Sequence, residues 1–194
     1  MKIKILASAG HNLNDPGAVK GDLKESEETI KDRDMFKFYL EALTVHRDDI
    51  EVIVDDDRDS LNTVYNKFNK LATKYDFLID FHYNSAPRDD VSGVEVFVAD
   101  NARKASIELA EDVVNGISKM AKIRNRGVKK ESQSQHPRLL ILHTKANSIL
   151  IEMEFINNLK AMKNIHNFRE RLHVMLATIV INAIDREKAK RNTV

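Results

Sequence analysis

Three ionisable side chains of this sequence follow or end short apolar segments that predict β-strands. His11 comes shortly after the first apolar segment of the chain. His82 directly follows Asp76–Phe81, and Glu152 is the last residue of Ser148–Glu152. Taken alone, such groups are more often solvated than functional. Because functional groups gather where parallel strands end, the coincidence of three of them predicts one shared site.

These residue types suit a metal-dependent hydrolase. A hydrolytic zinc site uses three protein ligands and one open position for water, together with a separate carboxylate that takes up the proton of that water. The chain has no cysteine, so every ligand must come from His, Asp or Glu. His11 and His82 supply two ligands, and the candidates for the third are Glu25, Glu27 and Glu28.

Length and composition narrow the class of protein. The 194 residues predict a single domain that spans the whole chain, 1–194. With 31 Lys and Arg against 30 Asp and Glu, the net charge of +1 predicts binding neither to nucleic acid nor to a membrane surface. The longest apolar stretch, near Met175–Ile184, is too short to span a bilayer, and the first residues do not resemble a secretory signal.

Apolar segments of strand and helix period alternate along the chain. Predicted strands are Lys2–Ala7, Glu51–Val54, Asp76–Phe81, Val94–Val98, Leu139–Leu142 and Ser148–Glu152. Predicted helices span about Glu27–Val45, Ser60–Tyr75, Asn101–Ala121 and Ile165–Ala189, and residues 124–138 are expected to form a loop. The alternation predicts an α/β fold with a mixed, mainly parallel central sheet flanked by helices on both faces.

Five short motifs follow one another along nearly the whole chain: Gly10–Val19, Phe81–Asn84, Gly93–Phe97, Arg126–Lys129 and Ile149–Asn158. In content and order they resemble motifs of the N-acetylmuramoyl-L-alanine amidase type 3 family. Gly10–Val19 looks like the family's opening zinc motif, and Phe81–Asn84 is similar to its second histidine motif.

The resemblance implies a specific site and reaction. The family holds one Zn²⁺ with two histidines and a glutamate, and a second glutamate acts as the catalyst. It hydrolyses the amide bond between N-acetylmuramic acid and L-alanine in peptidoglycan. By resemblance, His11 and His82 are zinc ligands, Glu152 is the catalytic carboxylate, and a muramoyl-peptide is the substrate. We expect a monomer with no nucleic-acid partner.

The third ligand is chosen by helical spacing. Glu25 stands in a family-like Leu-Lys-Glu context. The residues 7, 8, 11 and 15 positions after Glu28 are all apolar. In contrast, the residues 7 and 8 positions after Glu25 are Asp32 and Arg33, which are charged. Since a ligand at the start of a helix must face the sheet, we predict Glu28, with Glu25 as the alternative.

Two departures from the family pattern keep other functions open. Glu154 stands where the family usually has glycine, so it is an alternative catalyst or a neighbour that alters the pKa of Glu152. Asn12 replaces the usual second glycine after His11. The alternatives are a zinc peptidase or deacetylase acting on another carbonyl substrate, and an inactive peptidoglycan-binding module.

The resemblance also implies where the protein acts. The substrate lies in the cell wall, on the extracellular or periplasmic side, as for an autolysin or an endolysin. With no signal peptide visible, we expect synthesis in the cytoplasm and release by a holin, by lysis or by another route. No cell-wall-binding module is expected beside the catalytic domain. His166 and His173 are expected to be surface or helix-face residues of the closing helix.

Overall fold

The chain folds around a six-stranded sheet, seen in a computed structural model that describes residues 2–136 and 138–192. The sheet strands are β1 (Ile3–Ala9), β4 (Ile50–Val54), β5 (Phe77–Asn84), β6 (Val94–Val98), β7 (Asn125–Lys130) and β8 (Asn147–Phe155), and a small hairpin consists of β2 (Val19–Lys20) and β3 (Leu23–Lys24). The helices are α1 (Glu25–Leu43), α2 (Leu61–Leu71), α3 (Lys104–Ala121) and α4 (Leu159–Asn192).

The strand order of the sheet is β4-β1-β5-β8-β6-β7. Four of the five neighbouring pairs are parallel, and only β6 and β8 are antiparallel. Parallel neighbours require crossover connections, which the helices provide. The carboxyl ends of β1, β5 and β8 therefore lie together at one edge, as predicted for a mixed, mainly parallel sheet.

Helices cover both faces of the sheet, since alternate strand residues point to opposite sides. One face packs on α1, α3 and α4 through residues that include Ile5, Ile79 and Ile151. The other face packs on α2 and on a 3₁₀ turn at Leu140–His143, through residues such as Leu78. The predicted architecture is confirmed. Among the described residues, no helix is both long enough and apolar enough to cross a membrane.

Three segments differ from the predictions. The predicted loop at 124–138 contains the edge strand β7, whose residues are all at least partly exposed, so the segment shows no buried apolar face. The predicted strand Leu139–Leu142 is largely a 3₁₀ turn, because a short apolar run does not by itself distinguish a strand from a turn that buries Ile141. The closing helix begins at Leu159 rather than at Ile165.

Candidate metal centre

His11, Glu25 and His82 converge at the carboxyl edge of the sheet. Their ligand atoms all lie within 4.8 Å of one another. The carboxylate of Glu25 stands between the rings, with Oε2 3.2 Å from His11 Nε2 and Oε1 3.1 Å from His82 Nδ1. His11 follows β1, His82 belongs to β5, and Glu25 is the first residue of α1. Two imidazoles and one carboxylate are the donor set of a catalytic zinc site.

The main chain after β1 is shaped to bring the rings together. His11 has a φ of 67°, in the left-handed region that non-glycine residues rarely adopt. Strain of this kind persists only where the surroundings enforce it, and it clusters at functional sites. Gly10 leaves room for the second ring, because a Cβ at this position would lie 2.4 Å from His82 Nδ1.

Each histidine holds a second carboxylate on its other ring nitrogen. His11 Nδ1 lies 2.9 Å from Asp15 Oδ2, and His82 Nε2 lies 3.0 Å from Asp80 Oδ2. Asp80 is fixed in turn by the hydroxyl of Ser8, which donates a hydrogen bond of 2.6 Å. Metal-binding histidines are typically oriented by such carboxylates. Neither aspartate was among the residues predicted from the sequence, although Asp80 precedes His82 by two residues on the same strand.

The electrostatics of the cluster favour an anionic Glu25 beside cationic imidazoles. Burial opposes ionisation of Glu25, but its contacts with His11 and His82 outweigh burial and hold its pKa well below the usual range. Burial likewise opposes protonation of His82, yet Asp80 and Glu25 raise its pKa well above the usual value. The hydrogen bond with Glu25 raises the pKa of His11. Without a cation, protons on the imidazoles balance the carboxylates, and a metal ion can replace that positive charge.

Glu28, the predicted third ligand, does not join the two histidines; Glu25, the alternative, stands between them instead. The Glu28 carboxylate instead contacts Lys31 Nζ at 2.7 Å, His166 Nε2 at 2.8 Å and the guanidinium of Arg169. Since α1 begins at Glu25 rather than two residues later, Glu28 lies about one turn further from the sheet edge and faces α4.

The spacing of apolar residues favoured Glu28 over Glu25 because the inward face of α1 is partly polar and so does not stand out in the sequence. Asp32 and Arg33 are buried, so the face that contains Glu25 is the one turned to the interior. Of the apolar residues that favoured Glu28, Phe36 is fully buried but is reached from Glu25 as well, whereas Met35 and Tyr39 are partly exposed and Leu43 is 49% exposed. Apolar character alone therefore pointed to the wrong face of the helix.

Glu152 stands beside the cluster on β8, where it is the register partner of His82. Its Oε2 is buried and has no hydrogen-bond partner among the described residues. Burial raises the pKa of Glu152 to about 8; the nearby His82 charge opposes this rise, and the carboxylates of Glu25, Glu95 and Asp80 add to it. A pKa near neutrality suits a group that both accepts and returns a proton.

Glu154 has a different environment from Glu152. Its carboxylate accepts hydrogen bonds from the main-chain N–H of Gly93 at 2.6 Å and from the hydroxyl of Ser92 at 2.9 Å. It is fully buried and does not line the cavity that contains Glu152. These contacts tie the loop before β6 to the end of β8.

A cavity of about 520 Å³ is lined by His11, Glu25, His82 and Glu152. Its lining also includes polar residues such as Asn12 and Asn84, and apolar residues such as Leu61, Leu139 and Ile141. The volume falls within the range of small-molecule sites.

Comparisons with known proteins agree with this geometry. The profile of a family described as N-acetylmuramoyl-L-alanine amidase matches residues 5–186. The catalytic domain of CwlV, an N-acetylmuramoyl-L-alanine amidase from Bacillus (Paenibacillus) polymyxa var. colistinus, has a similar fold, with a TM-score of 0.76 and 20% identity over 95% of this chain and 99% of that chain. An N-acetylmuramoyl-L-alanine amidase from Clostridium difficile 630 gives a TM-score of 0.73 and 23% identity over 94% of this chain and 95% of that chain.

Two further relatives broaden the comparison. The catalytic domain of the CD27L endolysin, which targets Clostridia difficile, gives a TM-score of 0.69 and 19% identity over 95% of this chain and 97% of that chain. An uncharacterized protein of Clostridium perfringens (strain 13 / Type A) is 23% identical over 193 residues, which are 98% of this chain and 54% of that protein. The chain thus spans about half the length of this curated relative.

Proposed function

The chain belongs to the N-acetylmuramoyl-L-alanine amidase family, and on that premise we propose that it is a zinc-dependent hydrolase of the amide bond between N-acetylmuramic acid and L-alanine in peptidoglycan. The observation that carries the proposal is the convergence of His11, Glu25 and His82 in an open cavity next to Glu152. The substrate places its action at the cell wall, and residues 1–194 form one catalytic domain in this proposal.

The residues that would hold the zinc are His11, Glu25 and His82, and they fit it by donor type and mutual distance. Asp15 and Asp80 orient the two imidazoles through their other ring nitrogens. Zinc, when bound, supplies polarisation of the amide carbonyl and a lower pKa for water.

Glu152 is the proton carrier in this proposal. Its free Oε2 accepts a proton from the attacking water and delivers it to the amine of L-alanine as the amide bond breaks. Burial, together with the negative charges of Glu25, Glu95 and Asp80, raises the pKa of Glu152. The raised pKa makes the carboxylate a stronger base toward water and lets it hold the proton until the amine leaves.

Zinc content and wall hydrolysis, measured on the same preparations, test the function. We expect one zinc per chain and release of stem peptides from purified cell walls, which a chelator abolishes. Glu25→Gln should lose the zinc. Glu152→Gln should keep it while hydrolysis falls by about a hundredfold or more. Glu27→Gln, which alters an exposed ion pair with Lys24, is the matched control and should change neither.

Mass spectrometry of the products separates the alternative functions. Muramic acid with a free carboxyl on its lactyl group, and stem peptides that begin with the free amine of L-alanine, support the amidase. Cleavage of another bond would favour a zinc peptidase or deacetylase. Zinc binding without any cleavage would favour an inactive peptidoglycan-binding module.

A further inference from the structure

A buried polar network lies beneath the metal centre and consists of Asp32, Tyr83, Arg169 and His173. The Tyr83 hydroxyl donates a hydrogen bond of 2.7 Å to Asp32 Oδ2. Asp32 Oδ1 lies 2.9 Å from His173 Nε2 and 3.0 Å from Arg169 Nε. Arg169 also donates from Nη2 to the Tyr83 hydroxyl at 3.3 Å. His173, which was expected to be a surface or helix-face residue, is fully buried.

This polar network is connected to two of the proposed zinc ligands. Tyr83 directly follows His82 on β5, and its main-chain N–H donates to Glu25 Oε1 at 3.1 Å. Asp32 lies two helical turns after Glu25 on α1. Tyr83 therefore contacts α1 twice, through its main chain at Glu25 and through its hydroxyl at Asp32. Two contacts from one residue fix both the height and the rotation of α1 against β5.

The polar network is not the arrangement that stability alone would favour. Asp32 and His173 are fully buried, and Arg169 is largely buried. Taking such groups out of water carries a desolvation penalty, and well-packed apolar residues of similar volume are often equally or more stabilising. The next inward positions of α1, Phe36 and Leu40, are apolar. The polar part of this face is thus confined to the turns nearest the metal centre.

We propose that the polar network is a positioning device for the metal centre. Arg169 and His173 hold Asp32 from α4, Asp32 holds the Tyr83 hydroxyl, and Tyr83 in turn holds the carboxylate of Glu25 and the main chain of His82. The inference rests on the proposed function only in requiring that the centre binds zinc.

The affinity for zinc tests this inference without any measurement of hydrolysis. Tyr83→Phe removes the hydroxyl and preserves the ring, and Asp32→Asn preserves the shape of the side chain. We expect each variant to bind zinc about 10- to 100-fold more weakly in competition with a chromophoric chelator, because partners outside the ligand set contribute that much to metal sites. Tyr39→Phe, a partly exposed position on α1, is the matched control and should bind like the wild type.

A second readout separates positioning from stability. The visible absorption of Co²⁺ in place of zinc reports the geometry of the ligands, and we expect it to change in Tyr83→Phe at temperatures well below the unfolding midpoint. Wild-type affinity and an unchanged Co²⁺ spectrum in a folded Tyr83→Phe would overturn the inference and leave the proposed function intact. If the wild-type protein binds no zinc, the proposed function fails and the inference fails with it. If Asp32→Asn does not fold, Tyr83→Phe decides the matter alone.

Discussion

The absence of a side chain at Gly10 determines how closely two imidazoles approach. The ring of His82 occupies the space where a Cβ of residue 10 would stand. That ring cannot move away cheaply, because Glu25 and Asp80 hold its two nitrogens. The φ of 67° at His11 then directs the imidazole of His11 toward the carboxylate of Glu25, which the His82 ring also contacts. Main-chain geometry, more than the choice of ligands, thus brings His11 and His82 together.

Gly10→Ala is therefore expected to disrupt the metal centre. The added methyl group would displace the His82 ring from Glu25, so we predict at least a tenfold loss of zinc affinity, measured by chelator competition. The control is Gly21→Ala, since Gly21 has open space where the Cβ would lie. The positive φ of Gly21, +58°, adds a backbone penalty of about 1 kcal/mol that Gly10 does not carry, and the variant should still bind zinc normally. Equal zinc affinities in the two variants would show that the ring contact does not matter.

At the scale of elements, α1 joins the metal centre to the core through one continuous face. Glu25 lies at the sheet edge, Asp32 in the middle, and Phe36 and Leu40 pack in the interior. On the neighbouring face, Met35 and Tyr39 are partly exposed and Leu43 is 49% exposed. Because the two faces of α1 differ in burial, truncation of a leucine on each face should change the free energy of unfolding by different amounts.

Truncation of one leucine on each face of α1 tests that assignment. Leu40→Ala should lower the free energy of unfolding by about 2 to 5 kcal/mol, because a fully buried leucine leaves a cavity when it is shortened. Leu43→Ala, at a position 49% exposed, should cost less than about 1 kcal/mol. Denaturant titration gives both values. A larger loss at Leu43 would reverse the assignment of the faces.

The contact between α1 and α4 at Glu28 predicts a pH-dependent stability. Burial raises the pKa of Glu28, but His166, Lys31 and Arg169 outweigh burial and hold it well below the usual value of 4.5. Because the folded-state pKa is the lower one, the stabilisation is fully present above pH 4.5 and is lost as the pH falls below that value.

Glu28→Gln should therefore destabilise the protein by about 1.5 to 3 kcal/mol at pH 7, since it removes the buried carboxylate that Arg169, His166 and Lys31 contact. The difference between wild type and variant should shrink as the pH drops below about 4.5. Glu27→Gln on the same helical turn is exposed and should stay within about 0.5 kcal/mol of the wild type at every pH. Urea denaturation at several pH values provides the comparison, and a constant difference would exclude the ion pairs as its cause.

The elements that could be predicted from the sequence are the buried ones, because burial requires a recognisable run of apolar residues. β5 and β8 lie in the middle of the sheet, so their apolar runs identified them and placed His82 and Glu152 at their ends. The edge strand β7 carries no such pattern, because its residues remain partly exposed. The choice between Glu28 and Glu25 could not be made from the sequence for a related reason. Burial on α1 is shared by apolar and ion-paired residues, and the pairing of Asp32 with His173, 141 positions later, leaves no local signal.

At the scale of the whole molecule, the metal centre joins segments that are distant in sequence. His11 follows the first strand, Glu25 begins the first helix, and His82 lies near the middle of the chain. An unfolded chain does not hold these three side chains together, so zinc should bind the folded state far more tightly than the unfolded one. Any ligand with that preference stabilises the fold by mass action.

Zinc is therefore expected to raise the thermal unfolding midpoint. At a free concentration one hundred times the dissociation constant, binding adds about 2.7 kcal/mol to the free energy of unfolding. For a chain of this size, that gain corresponds to about 5 to 10 °C in calorimetry of the metal-free and zinc-loaded protein. Glu25→Gln should show no such rise, because it removes the carboxylate that stands between the two imidazoles. A rise of equal size in that variant would mean that the stabilising zinc binds elsewhere on the molecule, and the assignment of the three ligands would have to be abandoned.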